Sequence, residues 1–377
     1  MSEQDTRSPQ PDTILVARSP GETRYALLAD EVVLAVIHRR DGDVQPGAIY
    51  YGRVKAPVPG TGAVFVDYGE ALPGVLHIKL PPPEGSAIGV TITAPPRPGK
   101  GADLKAVKAV IAPGAKLPLL AAPAPEPVVE WMARYGAGIR AIICQPLREV
   151  ARVRALLEAD TPVESHSAEA DLFMAFGVEE AIEAALRPEV KLPSGGSIII
   201  EHTRALTVID VNSGGADPAR ANFEAMTAVA LELRRRNVAG HILIDIIPTK
   251  ARAALPRILT KALAADPNPA QVVGLTSLGL LEMTRQRMGL SLVDALMDKG
   301  ELSAASVAYR GLRSVVRAAS KSGTPKWTLN VAPDVGALLQ GPLTRAVNEA
   351  RDLTKTEIQI LPRADFKREQ IDVRPAA

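Results

Sequence analysis

The 377 residues predict a multidomain chain, an α/β core with an inserted small β-barrel and a C-terminal α+β segment. Three observations carry that reading. From about Ser197 to Leu275, apolar strand-like runs alternate with stretches of helical periodicity, the pattern of strands joined by crossover helices. From Ile49 to Ile78, short β-favouring runs follow one another across Gly-rich turns, which suits a small barrel. The length exceeds what one hydrophobic core ordinarily organises.

Residues 1–11 are polar, carry prolines and lack an apolar run, so they predict a disordered tail and no signal peptide. Residues 13–17, 24–28 and 32–38 are β-like and bounded by Pro-Gly and Asp-Gly turns, which predicts a hairpin. The barrel runs follow at 46–55, 59–69 and 73–78. Residues 147–157 and 171–186 set apolar residues three or four apart and predict helices, the second with Leu172, Phe176, Ile182 and Leu186 on one side. Strands at 197–200 and 206–210 lead to a helix over 218–236 with an apolar stripe of Phe223, Met226, Ala230 and Leu233. Arg234, Arg235 and Arg236 crowd its last turn, where cations suit the helix dipole. Strand 241–247, helix 251–265 and strand 271–275 continue the alternation. Beyond a connector, helices 305–319 and 342–352 and strands 327–331 and 357–360 form the α+β segment. Arg310, Arg313 and Arg317 make a basic stripe on the first of these helices, ordinarily a solvated face.

The composition, 46% hydrophobic, 23% charged and only 3% aromatic, belongs to a soluble globular chain. Forty-four basic and 42 acidic residues leave a net charge of +2, so any nucleic-acid surface must come from local clustering. Cys144 is the single cysteine, which excludes an intrachain disulfide or thiolate zinc cluster and fits a reducing compartment. The five histidines, His38, His77, His166, His202 and His241, lack ligand spacing. No run is long enough to span a membrane, and a cytoplasmic location is expected.

The chemistry sits on two strands. Leu206-Thr-Val-Ile-Asp210 and Ile242-Leu-Ile-Asp245 are apolar runs that each end in a carboxylate, and ligands of α/β sheets collect at the carboxyl ends of strands. Desolvating a carboxylate is costly unless it is paired or cation-bound. For one such residue alone, an Asx turn or a loop cap is the simpler reading; the two together favour a shared hard metal, with carboxylate and water ligands that suit Mg2+ better than zinc. Asn212, two residues beyond Asp210, points to the same side of an extended chain and can orient a carboxylate or a water.

The ordered motifs Gly177-Val-Glu-Glu, Leu192-Pro-Ser-Gly-Gly-Ser-Ile-Ile-Ile-Glu-His-Thr-Arg-Ala-Leu-Thr-Val-Ile-Asp-Val-Asn-Ser213, Ala221-Asn-Phe-Glu-Ala, Gly240-His-Ile-Leu-Ile-Asp245 and Gly279-Leu-Leu-Glu-Met-Thr-Arg-Gln-Arg287 resemble the ribonuclease E/G family. More weakly, Ile49 to Ile78 resembles that family's inserted S1-type OB domain. The resemblance implies an endoribonuclease of RNA processing or decay, dependent on Mg2+ and cutting single-stranded RNA to leave 5′-phosphate and 3′-hydroxyl ends. It implies that Asp210 and Asp245 hold the metal with Asn212 in support, and that Phe65, Arg97 and Lys100 contact RNA. Phe65 within Val64-Phe-Val66 is equally a core residue, and Lys100 between glycines equally a solvated loop. Arg285 and Arg287 are candidates for RNA-backbone contact, or solvated arginines by a helix start. The implied layout is an N-terminal β part of a ribonuclease H-like subdomain over 12–45, the OB domain over 46–105, a shortened 5′-sensor-like region over 106–170, and the rest of the ribonuclease H-like part over 171–193. A DNase I-like catalytic domain over 194–295, a linker over 296–305 and a small domain over 306–377 complete it.

The chain departs from the family in four places. The paired cysteines of the zinc link are missing, so no zinc-linked tetramer is expected, while a homodimer through the C-terminal segment stays open. The family's Arg-Thr pair for a terminal phosphate reads Cys144-Gln145, and preference for 5′-monophosphate ends is not expected. The acidic residue shortly after the second metal ligand is Pro248. A second aromatic of the OB platform is Val75, which shifts affinity toward phosphate contacts. The rival readings are a non-catalytic RNA-binding protein on the same scaffold and a metal phosphoesterase of small substrates.

Overall fold

The computed structural model describes residues 10–97, 99–108, 110–112, 114–158, 160–166, 170–203 and 205–376. All of the tail expected at 1–11 except Gln10 and Pro11 lies outside the described residues, as does Arg204 of the quoted motifs. The chain divides into two compact units, one gathering residues 43–134 and 184–291, the other 11–42, 135–183 and 292–377.

The first unit holds a barrel and a sheet. Strands Ala63–Asp67, Gly74–His77, Asp103–Ala106, Ala87–Ala94 and Ile49–Val58 pair in that circular order, and the last pairs back to the first, closing a five-stranded barrel of OB type. Strand Leu119–Ala122 adds to Ile49–Val58, so the sheet continues past the expected limit at 105 into the region expected to be sensor-like. Alternate residues Val54, Val64, Val66, Leu76, Val90, Ile92 and Leu104 fill the interior, as a half-buried strand's two-residue period requires. Closure depends on glycine. A Cβ on Gly101 would lie 1.9 Å from the Pro73 carbonyl oxygen, and one on Gly52 2.4 Å from that of Asp67.

The six-stranded sheet runs in the order Glu189–Lys191, Ser197–His202, Thr207–Asn212, Gly240–Asp245, Leu281–Arg285 and Ala270–Leu275. Ile198, Ile200, Ile209, Val211, Ile242, Ile244, Leu281 and Met283 turn one face into a core shared with Met226, Val229 and Leu233 of helix Pro218–Arg235 and Leu255 and Leu259 of helix Leu255–Ala262. Both helices therefore cover the same face. Asp217 caps the longer helix by accepting from Arg220 N at 2.8 Å, with Pro218 in its first turn. The helix expected over 251–265 is α-helical only over Leu255–Ala262, flanked by 3-10 turns. Residues 281–285, placed near a helix start by the sequence reading, are a strand instead, antiparallel to Gly240–Asp245.

In the second unit, strands Val163–Ser165, Ala141–Gln145, Thr13–Ser19, Glu22–Ala29 and Val32–Arg40 form a mixed sheet in that order. The helix expected over 171–186 is two, Leu172–Ala175 and Val178–Leu186, because Gly177 turns the chain at φ +66°. Helices Ala304–Ser320, Pro333–Gln340 and Thr344–Thr354 pack with strands Lys326–Val331, Glu357–Pro362 and Ile371–Pro375 around Trp327, Leu329, Leu312 and Val335. The expected linker at 296–305 is ordered: Met297–Asp298 and Glu301–Leu302 make a small hairpin, and Ser303 caps the helix Ala304–Ser320.

A buried charge cluster joins this unit's two parts. Glu22, 1% exposed, meets Arg313 Nη1 at 2.6 Å, His38 Nδ1 at 3.2 Å and Arg40 Nε at 3.4 Å. Arg24 beside it stacks 4.3 Å over the Phe173 ring and pairs with Glu179. The stripe of Arg310, Arg313 and Arg317 is thus not a wet face at Arg313. Burial opposes ionisation of Glu22, but the cations, Arg313 foremost, outweigh it and hold its carboxyl well below the ordinary value of 4.5.

The native carboxyl binds fewer protons than the unfolded one, so the cluster's stabilisation is complete above about pH 4.5 and is lost progressively as pH falls below it. Glu22→Gln strands buried guanidinium groups without a counter-charge and should cost about 3–5 kcal/mol in urea unfolding at pH 7. Its stability should also fall less steeply than the wild type's below pH 4.5; parallel curves for the two proteins would count against the cluster.

Candidate functional site

Asp210 and Asp245 are register partners on the adjacent parallel strands Thr207–Asn212 and Gly240–Asp245. Partners across a sheet project from the same face, with backbones about 4.8 Å apart. Thr207, Ile209 and Val211, like Ile242 and Ile244, are buried, which leaves Asp210, Asn212 and Asp245 together on the opposite face. Asn212 Nδ2 donates to Asp210 Oδ2 at 2.8 Å, which fixes the orientation of that carboxylate.

Like charges side by side across strands are destabilising. Among the described residues neither carboxylate forms an ion pair with a protein cation, and no group of three or more His, Cys, Asp and Glu side chains gathers to hold a metal. Two hard oxygen ligands, with remaining positions left to water or substrate, could hold a divalent cation. Glu201 and Glu282 point to the same open face, Glu282 from the strand the sequence reading missed. The alternation Leu281-Glu-Met-Thr was its signal. Glu224 stands apart: burial opposes its ionisation, but bonds from Ser194 and Arg220 win and hold its carboxyl below the ordinary value. Glu179 is used by Arg24.

Backbone contacts fix the strand ends. A Cβ on Gly196 would meet the Asn212 carbonyl oxygen at 2.4 Å, and one on Gly214 that of Gly195 at 2.3 Å, so the turn at 195–196 presses directly on the chain leaving Asp210. A cavity of about 410 Å³, lined by Gly240, His241, Gln271 and Thr284 among others, opens at the other end of the Asp245 strand. The carboxylate pair itself lies on the face opposite the core, Asp245 exposed and Asp210 half-buried.

The remaining candidates separate by their surroundings. Phe65 lies on the barrel's outer side, between the core residues Val64 and Val66, and its register partner is Val75. Val75 in turn partners Asp103, whose carboxylate is 4.0 Å from the Arg97 guanidinium. Arg97 and Lys100 exchange backbone hydrogen bonds of 2.9 and 2.8 Å across a turn that leaves Lys100 exposed. Phe65, Arg97 and Lys100 therefore share one flank. Arg285, in contrast, is 3% exposed and fully engaged: Nε and Nη2 meet Asp266 at 2.7 and 2.9 Å, and Nη1 donates to the Val238 carbonyl at 2.7 Å. It is a structural residue, and the expected RNA contact does not fit it. Arg287 is partly buried and donates to the Ala239 carbonyl at 3.3 Å. Gln145 accepts from Leu172 N and donates to the Ala170 carbonyl, both at 2.9 Å, while burial pushes the Cys144 thiol up to about 12.

Residues 130–288 match the Ribonuclease E/G family. Ribonuclease E of Nostoc sp. (strain PCC 7120) is 39% identical over 183 residues, 44% of this chain and 27% of that protein. Ribonuclease G of Haemophilus influenzae is 34% identical over 226 residues, 54% of this chain and 45% of its own. Ribonuclease G of Escherichia coli (strain K12) is 29% identical over 235 residues, 57% and 48% of the two chains. The chain thus spans less than half the length of each of these curated relatives. The match begins beyond the barrel and contains both carboxylate-bearing strands, the helix Pro218–Arg235 between them and the Arg285 strand, and over these residues the chain is similar to the ribonuclease E/G family.

Proposed function

We propose that the chain is an endoribonuclease that hydrolyses single-stranded RNA with a divalent cation, Mg2+ by preference, held by Asp210 and Asp245. The observation that carries the reading is the register pairing of two carboxylates, without protein counter-ions among the described residues, on an open sheet face. The cation, when bound, would stabilise charge on a phosphoryl oxygen and acidify an attacking water. The residues' part is positional. Asn212 holds the Asp210 carboxylate in one orientation, and the open face admits the sugar-phosphate chain. Water adds to phosphorus as the bond to the 3′-oxygen breaks, so the downstream fragment keeps a 5′-phosphate and the upstream one leaves with a 3′-hydroxyl.

The barrel is proposed as the arm that holds the strand. Phe65 offers a stacking face outside the core, and Arg97 and Lys100 on the same flank offer phosphate contacts. Gln145, committed to two backbone groups, supports a chain that does not select 5′-monophosphate ends. A cytoplasmic role in RNA processing or decay accords with the single buried cysteine. Among the described residues no helix is long and apolar enough to cross a membrane.

Wild type should cut a single-stranded oligonucleotide only with Mg2+ or Mn2+ present, and Asp210→Asn and Asp245→Asn should each lose at least about a hundredfold of that rate. RNA bound but left intact by the wild type would favour a non-catalytic scaffold, the outcome that Pro248 in place of an acidic residue makes specific. In the Asp210→Asn background, without metal, Phe65→Ala should weaken RNA binding by about 1–3 kcal/mol. Lys100→Ala should reduce the slope of log Kd against log salt by about 0.7. Unchanged affinity and slope would remove the barrel flank from the binding surface.

A further inference from the structure

Asp245 is the last residue of its strand, and among the described residues the chain beyond it has no ladder partner. Ile247, two residues on, instead bonds to a side chain: its N donates to Asn222 Oδ1 at 3.0 Å, and its carbonyl accepts from Asn222 Nδ2 at 2.8 Å. Asn222 is 0% exposed, in the early turns of helix Pro218–Arg235, which begins just beyond the turn leaving Asn212. Both ends of its amide are used on one residue's backbone, as a neighbouring strand would use them. The covalent and hydrogen-bonded path therefore closes on itself, from Asp210 through the 213–217 turn and the helix to Asn222, across to Ile247, and back to Asp245. Glu224, on the same helix, holds Ser194 N at 2.8 Å and so secures the turn that presses on Asn212.

We propose that Asn222 is a positioning residue for the carboxylate pair, setting where Asp245 stands relative to Asp210 through the Ile247 backbone; the proposal rests on the divalent-cation reading above. Asn222 lies on the core side of the sheet and is no ligand. An aspartate there keeps the size but sets a carboxylate oxygen against the Ile247 carbonyl, whereas serine keeps at most one of the two bonds.

The test measures Mn2+ affinity by electron paramagnetic resonance on the full RNA-free chain. Asn222→Asp and Asn222→Ser should weaken binding about 10–100-fold, the usual effect of removing a ligand's support. Val229→Ala, a buried change on the same helix, should lower stability and leave the affinity alone. In the wild type, coupling is reciprocal, so adding Mg2+ should slow hydrogen exchange at the Ile247 amide. Folded Asn222 variants with wild-type affinity, or an Ile247 amide indifferent to Mg2+, would overturn the assignment. Wild-type affinity in Asp245→Asn would instead overturn the metal reading itself.

Discussion

The candidate centre depends on one alignment, residue 210 opposite residue 245 across two parallel strands. A slip of one residue in either strand would send its carboxylate to the face filled by Ile209 and Ile244. The apolar side of the sheet therefore specifies the polar side, since the core residues tolerate only the register that sets the two acids together. What the core cannot fix is the position of the strand ends, where the ladder stops. There the helix Pro218–Arg235 supplies the missing partners through Asn222 and Glu224, and the glycine at 196 lets the backbones touch.

Buried charge is met in the same way at two places, by direct pairing within the protein. Around Glu22 and Arg24 every acid has a protein cation within reach, and the network joins the N-terminal sheet to the helix Ala304–Ser320. Around Asp266 and Arg285 a bidentate pair with a further bond to Val238 does the same on a smaller scale. Asp210 and Asp245 break that pattern. They are half-buried and exposed respectively and form no ion pair with a protein cation among the described residues, the arrangement on which the proposed cation site rests.

Much of this was legible in the residues. Apolar runs closed by an acid marked the two strands, and the Asn212 spacing placed its amide on the right side. Phe65 stayed open between core and surface until the packing of Val64 and Val66 decided it. Arg285 was misread because an arginine at a strand's inward position looks like an exposed one until Asp266, distant in sequence, is seen beside it. Arg313 was misread for the same reason, its partner Glu22 lying nearly three hundred residues away. Asn222 falls within a quoted motif, but nothing in its local sequence shows what its side chain does. A polar residue on a helix reads as solvated, and only the end of a neighbouring strand makes it necessary.

Lys100 and Gly101 stand side by side under opposite constraints. The first is exposed and its side chain makes no bond among the described residues; the second has a carbonyl where its β-carbon would go. Adjacent codons thus separate charge tuning from architectural integrity, so randomising position 100 varies surface charge without disturbing the barrel wall. Randomising position 101 should return glycine almost exclusively.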